Sequence, residues 1–251
     1  MVKPASWNDG EHDLLNKLTY NIGTLCNNTP TLIASSTGHY TNGGDQNHTI
    51  ITPFDSTGAK FIIVYAESTQ LFPNPVDYPA ISDNYGNTWT MAAGTSRILI
   101  NSCFYYCNSA SVGPNHTITL SISGLSGGRW SGGVVGAFSG NIITPYSYEY
   151  SQSVGNAQSL SSTLPISGTL PSGTLVFVGG STRNINATSA TPIINGDVRM
   201  IGRVSTVATS VFTAQIMSYK HTRNDTPIPV TLTMSPLVTT DFMLNQVAFA
   251  Y

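Results

Sequence analysis

The chain has 251 residues and a mass of 26.7 kDa, enough to bury a sizeable core without disulfide staples. Charged residues make up 9% and the formal net charge is -2, against about 25% charged in an ordinary globular protein, which argues against a polyanion-binding surface. Serine, threonine, asparagine and glycine supply 103 of the 251 residues while 40% are hydrophobic, a balance that favours β-rich, loop-heavy architecture over helix bundles or disorder.

The first stretch differs from all that follows. Trp7-Asn-Asp-Gly-Glu-His-Asp-Leu-Leu-Asn-Lys-Leu18 opens with Asn8 as an N-cap and places Glu11 three residues on, as in a capping box. Asp9, Glu11 and Asp13 sit where the helix dipole favours acids, and Gly23 supplies a stop. A helix is expected here. Leu15, Leu18, Ile22 and Leu25, with Leu14 beside them, form an a/d seam. A seam of about two heptads does not stand alone in water. Both a helix packed on its own domain and an anchoring or self-associating peptide fit the pattern.

From Thr31 onward short β segments alternate with turn residues. Ala59-Lys-Phe-Ile-Ile-Val-Tyr-Ala66 (with its apolar run from Phe61), Arg97 to Tyr106, Gly133 to Phe138 (apolar on both faces), Thr174 to Val178, Val211 to Tyr219, Pro229 to Met234 and Phe242 to Phe249 read as strands. His116 to Ile122 alternates, the mark of a half-buried strand. With His48 to Pro53, Asn87 to Met91 and Asp197 to Val204 this gives at least ten strands. Breakers such as Gly43-Gly44, Asn84-Tyr-Gly86, Gly113-Pro114 and Pro171-Ser-Gly173 separate them. The expectation is an all-β chain, an antiparallel, jelly-roll-like β-sandwich over residues 29–251, preceded by one short N-terminal α-helix in residues 1–28. The echo of Asn47-His-Thr-Ile50 in Asn115-His-Thr-Ile118 is too short to be a repeat.

Candidate chemistry is sparse. Gly124-Leu-Ser-Gly-Gly128 fits the G-x-S-x-G pattern around Ser126, but a further strand follows where a nucleophile elbow needs a helix. The five histidines stand singly, without metal-ligand spacing. Asp83-Asn-Tyr-Gly-Asn87 reads as an Asx turn. Cys26, Cys103 and Cys107 are expected reduced, since Cys103 and Cys107 on one strand lie about 13 Å apart. No catalytic residue, cofactor or metal is therefore expected. Tyr146, Tyr148 and Tyr150 fall at i, i+2 and i+4, so a regular strand would show all three rings on one face, as core, interface or glycan platform. Met1-Val-Lys-Pro lacks an apolar signal region, and no apolar run is long enough for a membrane span.

Four stretches, Ser82-Asp-Asn-Tyr-Gly-Asn-Thr-Trp-Thr90, Phe104-Tyr-Tyr-Cys107, Gly113-Pro-Asn-His-Thr-Ile-Thr-Leu120 and Val134-Val-Gly-Ala-Phe-Ser-Gly140, occur in an order that resembles a β-sandwich module of tailed-phage virion proteins and bacterial surface proteins. The segment from Trp7 to Leu18 is similar to N-terminal helices that attach phage appendage proteins to the particle. The resemblance implies a non-enzymatic fibre-like or decoration subunit on the virion surface, made in the host cytoplasm. Trp7, Leu14, Leu15, Leu18, Ile22 and Leu25 would grip another virion protein or form a homotrimer. A carbohydrate-binding module contacting host polysaccharide through Tyr146, Tyr148 and Tyr150 is the alternative, and a hydrolase ranks below it. Nucleic acid and membrane insertion have no place in this reading.

Overall fold

The computed structural model describes residues 29–42, 47–49, 51–70, 78–97, 100–108, 110–121, 129–140, 144–164, 173–184, 191–208, 211–222, 228–237 and 240–251. The helix expected in residues 1–28 lies outside them. The described chain is all-β and its sheets are antiparallel, as expected of a β-sandwich.

The first eight strands are β1 (Thr31–Asn42), β2 (Asn47–Thr49), β3 (Phe61–Gln70), β4 (Ala80–Asp83), β5 (Thr90–Arg97), β6 (Ile100–Asn108), β7 (Ile118–Ser121) and β8 (Arg129–Ser139). They make a five-stranded sheet in the order β1-β8-β3-β6-β5 and a three-stranded sheet in the order β2-β7-β4. The next eight are β9 (Thr144–Ala157), β10 (Ser159–Leu164), β11 (Thr174–Asn184), β12 (Thr191–Asn195), β13 (Arg199–Ala208), β14 (Val211–His221), β15 (Ile228–Ser235) and β16 (Thr240–Ala250). Their sheets run β13-β14-β11-β16-β9 and β10-β15-β12. Counted within its own set of eight, each half therefore has the orders 1-8-3-6-5 and 2-7-4. The chain is one eight-stranded arrangement made twice.

Register carries the correspondence down to residues. Phe61 pairs with Phe138 as Leu175 pairs with Phe249, and Ile62 with Ala137 as Val176 with Ala248. Ile63 opposes Tyr106 as Phe177 opposes Tyr219. Both β5 and β13 are bulged directly after a methionine, Met91 and Met200. Thr119-Leu120 on β7 corresponds to Thr231-Leu232 on β15, and the sequence identity resumes at Ser123 and Ser235. Contacts between the halves respect the same symmetry. Edge β1 lies against β13, and edge β5 against β9, which are exchanged equivalents, so a pseudo-two-fold axis runs between the two five-stranded sheets.

Three apolar layers follow from this stacking. Ile62, Val64, Ala66 and Val135 pack outward against Ile118 and Leu120 of the first small sheet. Val176, Val178 and Leu244 pack outward against Leu160, Val230 and Leu232 of the second. Between the halves, Phe61, Ile63, Phe104 and Phe138 meet Phe177, Met217, Val247 and Phe249. Ring centroids here are 5.0 Å apart for Phe61 and Phe249, and 5.3 Å for Phe138 and Phe177, within the range of favourable aromatic pairing. Because the inner strands of each five-stranded sheet are covered on both faces, β3, β8, β11 and β16 read as near-continuous apolar runs. The small sheets keep a solvent face, and so do edge strands of the large sheets, where Ile33 of β1, Met91 of β5 and Met200 of β13 are exposed.

Tyr65 lies on the axis. A Cβ at its pseudo-equivalent Gly179 would stand 2.3 Å from the Tyr65 ring, so glycine is required there for close approach and not for backbone freedom. Gly179→Ala is expected to lower stability by about 1–3 kcal/mol through overpacking. Gly86 presents the reverse case, with a φ of 70° and open space around its Cα, and Gly86→Ala is expected to cost about 1–2 kcal/mol through conformation alone. Calorimetric melting of the two variants checks both. A Gly179→Ala protein that melts like the parent would contradict the packing described.

Candidate functional site

Two polar centres stand out, the first of them built around the Asx turn that the sequence pattern selects. The first joins segments far apart in the chain. Asp83, at the end of β4, opens the expected Asx turn. Its Oδ1 accepts from the backbone N–H groups of Tyr85 at 2.9 Å and Asn87 at 3.1 Å. Its Oδ2 accepts from Asn87 Nδ2 at 2.9 Å and Trp89 Nε1 at 3.0 Å. The turn is then sewn to the loop before β7. Asn84 Nδ2 donates to the Asn115 carbonyl and its Oδ1 accepts from Thr117 N–H. Tyr85 donates its phenolic hydrogen to the Pro114 carbonyl at 2.7 Å, and the Asn87 side chain exchanges hydrogen bonds with the backbone of Ser111. The stretches 82–90 and 113–120, which carry the resemblance, are thus the two halves of one knot.

Inside the knot a serine, a histidine and an aspartate line up. Ser56 Oγ is 2.8 Å from His116 Nδ1, and His116 Nε2 is 3.5 Å from Asp83 Oδ2. The order invites comparison with a hydrolytic triad. Three observations oppose it. Ser56 is fully buried, and its hydroxyl also spans the backbone of Gly113, 3.1 Å from the carbonyl and accepting from the N–H at 3.0 Å. The His116 ring is clamped by Phe54, stacked at 5.1 Å, and Tyr85, edge-on at 4.9 Å. At 3.5 Å the His–Asp contact is too long for a hydrogen bond, and Asp83 already has four donors. Burial lowers the His116 pKa, with Asp83 opposing the shift. Burial pushes the Asp83 carboxyl up, but the donors from Asn87 and Tyr85 and the nearby His116 outweigh it and hold the acid below its usual range. A neutral histidine and an ionised aspartate wedged against aromatic rings make a structural strut.

The second centre lies at the polar end of the seam between the halves. Along β3 the inward positions run Phe61, Ile63, Tyr65, Glu67, so the seam changes from aromatic to ionisable within one strand. Ser181 donates to the Tyr65 hydroxyl at 3.1 Å, and Asn245 Nδ2 reaches Tyr65 at 3.3 Å and Ser102 Oγ at 2.8 Å. Glu67 is 1% exposed. Its carboxyl lies beside the Ser181 hydroxyl and the Gln215 carboxamide, with Arg183 also near. Burial pushes its pKa up to about 8, against these three favourable neighbours. Glu67 Oε2, both polar atoms of the Gln215 carboxamide, Arg183 Nε and Asn245 Oδ1 are buried without a hydrogen-bond partner. Gln215 itself fits over Gly132, whose added Cβ would meet it at 2.3 Å.

Of the residues singled out from sequence, Asp83, Asn84, Tyr85 and Asn87 build the first centre. Tyr146, Tyr148 and Tyr150 lie on β9, an edge of the second five-stranded sheet. The register shifts between Pro145 and Glu149. Those tyrosine side chains fall outside the described set, as do Ser126, Cys26 and the anchoring candidates Trp7, Leu14, Leu15, Leu18, Ile22 and Leu25. Cys103 and Cys107 are free thiols on β6, and burial pushes the Cys103 thiol up to about 12. Trp89 packs half-buried against the outer layer of the first half. Among the described residues no three histidine, cysteine or acidic side chains group as metal ligands. Parity along β3 was the signal that could have found Glu67. Ser56 with His116 carried no local signal.

If the Ser56 hydroxyl is a strut, Ser56→Ala leaves Gly113 N–H and His116 Nδ1 buried without their partner, at a cost of about 1–3 kcal/mol. Melting should fall by several degrees, and parent and variant should be equally inactive on activated esters. Ester hydrolysis lost on substitution would instead make Ser56 a nucleophile. No family model, curated protein or solved structure matches this chain.

Proposed function

We propose that the chain is a non-enzymatic structural subunit on the surface of a bacteriophage particle, fibre-like or decorative, built from two jelly rolls in tandem. The observation that carries the reading is the doubled strand order. Within each half, 1-8-3-6 facing 2-7-4 is the jelly-roll order with the fifth strand transferred to the larger sheet. Jelly rolls are a recurrent solution for virion shells and appendages, and the step from fold to role is an analogy of architecture. The knot around His116 supports a structural role in a second way, since its serine and histidine are consumed in holding two loops together. Low charge with abundant hydroxyl and amide groups suits a subunit that packs among others and meets water through neutral polar side chains.

In this reading residues 1–28 attach the subunit to another virion protein, or join copies into a homotrimer, through the face holding Leu14, Leu15, Leu18, Ile22 and Leu25. Electron microscopy of purified particles bearing a gold-labelled antibody to this protein should show label at fixed surface positions. Particles without label, from cells that make the protein in abundance, would overturn the proposal. Removal of residues 1–28 should leave a cooperative melting transition while abolishing incorporation. Polysaccharide binding by the parent that is lost when Tyr146, Tyr148 and Tyr150 become alanine, with melting unchanged, would favour a glycan-binding module instead.

A further inference from the structure

The polar end of the seam has properties that packing alone does not demand. In the first sheet His39, Gly132, Glu67 and Ser102 form one cross-strand row. In the second, Val204, Gln215, Ser181 and Met243 form another. The rows belong to different halves and face each other: Gln215 sits over Gly132, and Ser102 Oγ is 3.9 Å from Met243 Sδ. Glu67 and Ser181 are pseudo-equivalent positions, so an acid near the axis meets its own counterpart as a hydroxyl. The charged and titratable groups around Glu67 are few. Arg183 comes from β11 and has Asp241 of β16 as its cross-strand neighbour. Tyr65 comes from β3 itself, and burial raises its pKa well above the usual value. His39 of β1 contacts Thr213 of β14 at 3.1 Å. The facing residues of β6, β8 and β14 are Ser102, Gly132 and Gln215, all uncharged.

We propose that this end of the seam is a proton-controlled latch: the neutral Glu67 acid closes the two halves on each other, and its ionisation loosens them locally. A neutral carboxyl fits a buried site whose nearest polar neighbours, the Ser181 hydroxyl and the Gln215 carboxamide, are uncharged, whereas a carboxylate loses the donor and brings a charge into it. Arg183 does not neutralise that charge fully, because it is shared with Asp241. The inference stands apart from the virion reading and holds or fails without it.

The sign follows from linkage. Glu67 has its pKa raised on folding, from 4.5 to about 8, so the folded state is favoured at low pH and loses that advantage as pH rises toward the folded value. Burial lowers the pKa of His39 to about 4 and lowers that of His116; these groups act in the opposite sense, but only below their unfolded value of 6.5. The buried thiols titrate above the range of interest. Burial lowers the pKa of His221 too, with the same sense as the other two histidines. Among the described groups with a shifted pKa, Glu67 therefore dominates between pH 6.5 and 8, and the unfolding constant should rise about tenfold per pH unit. In Glu67→Gln that rise should vanish, while an Asp197→Asn control at an exposed carboxyl should keep it. Hydrogen exchange of the full-length protein, corrected for intrinsic rates, should show residues 65–69 and 179–183 losing more protection between pH 6.5 and 8.5 than the rise in the global unfolding constant accounts for, while β10, β12 and β15 lose no more than that rise imposes. Equal slopes in parent and Glu67→Gln, or uniform loss of protection across all sheets, would overturn the latch. Should Glu67→Gln not fold, the parent decides by carbon-13 carboxyl NMR, since the chain has three glutamates: a Glu67 midpoint near 4 to 5 refutes the proposal and one near 8 supports it.

Discussion

The burial of one five-stranded sheet against the other is the constraint from which the remaining features derive. Phe61, Phe138, Phe177 and Phe249 interlock across it, and each is fully buried. Burying such a side chain is worth roughly 1.5–3 kcal/mol. Once this seam forms, the inner strands of the large sheets lose their solvent face, because the small sheets cover the opposite sides. The low charge of the chain then has a structural cause. Six of the sixteen described strands, β3, β6, β8, β11, β14 and β16, lie inside the large sheets, where a buried charged side chain must be paired or neutral. Glu67 and Arg183 are the described charged side chains that occupy this setting most deeply, and both lie at the same end of the seam.

The two halves share their order but not their detail. Register places Gly196 opposite the position of Asp83, and Ile228 opposite that of His116. Between β12 and β13 the second half has a three-residue connection, Gly196-Asp-Val198, in place of the longer Asx turn. A φ of 144° at Gly196, with the Pro229 carbonyl 2.9 Å from where a Cβ would stand, explains the glycine. The knot is therefore an elaboration of the first half. It satisfies its backbone with asparagine side chains where the second half simply shortens the loop.

What the sequence disclosed follows the same division. Strands β3 and β8 are legible as apolar runs and β7 as alternation, because burial on two faces or one writes those patterns directly; β11, β15 and β16 are legible as β segments set between breakers. Strand β1, Thr31-Leu-Ile-Ala-Ser-Ser-Thr-Gly-His-Tyr40 and onward, was missed: its residues are mixed, and its extended form comes from pairing with β8 along its whole length. Strand β12 was hidden by Pro192 and by its five-residue length. The duplication escaped notice because the verbatim echo at Asn47 and Asn115 links β2 to the loop before its own neighbour β7, within one half, whereas the true repeat keeps only scattered identities such as Thr119 with Thr231. The union of Ser56, Asp83 and His116 needs segments about 30 residues apart to meet, which no local pattern encodes.

The two polar centres then differ in a way that assigns them different capacities. Around His116 the ring's own Nε2 lacks a hydrogen-bond partner, 3.5 Å from the Asp83 carboxylate, but Ser56, Asp83, Asn84 and Asn87 each make several bonds, so removing one of them breaks several at once and the unit resists change. Around Glu67 several buried polar atoms are unanswered, and one proton decides whether the carboxyl can donate. A satisfied network rigidifies, while an incompletely satisfied one stores a cost that a change in protonation can release. The arrangement that looks catalytic is thus the inert one. The capacity to respond to protonation proposed for this fold resides where the halves meet, at a carboxyl buried among neutral polar side chains.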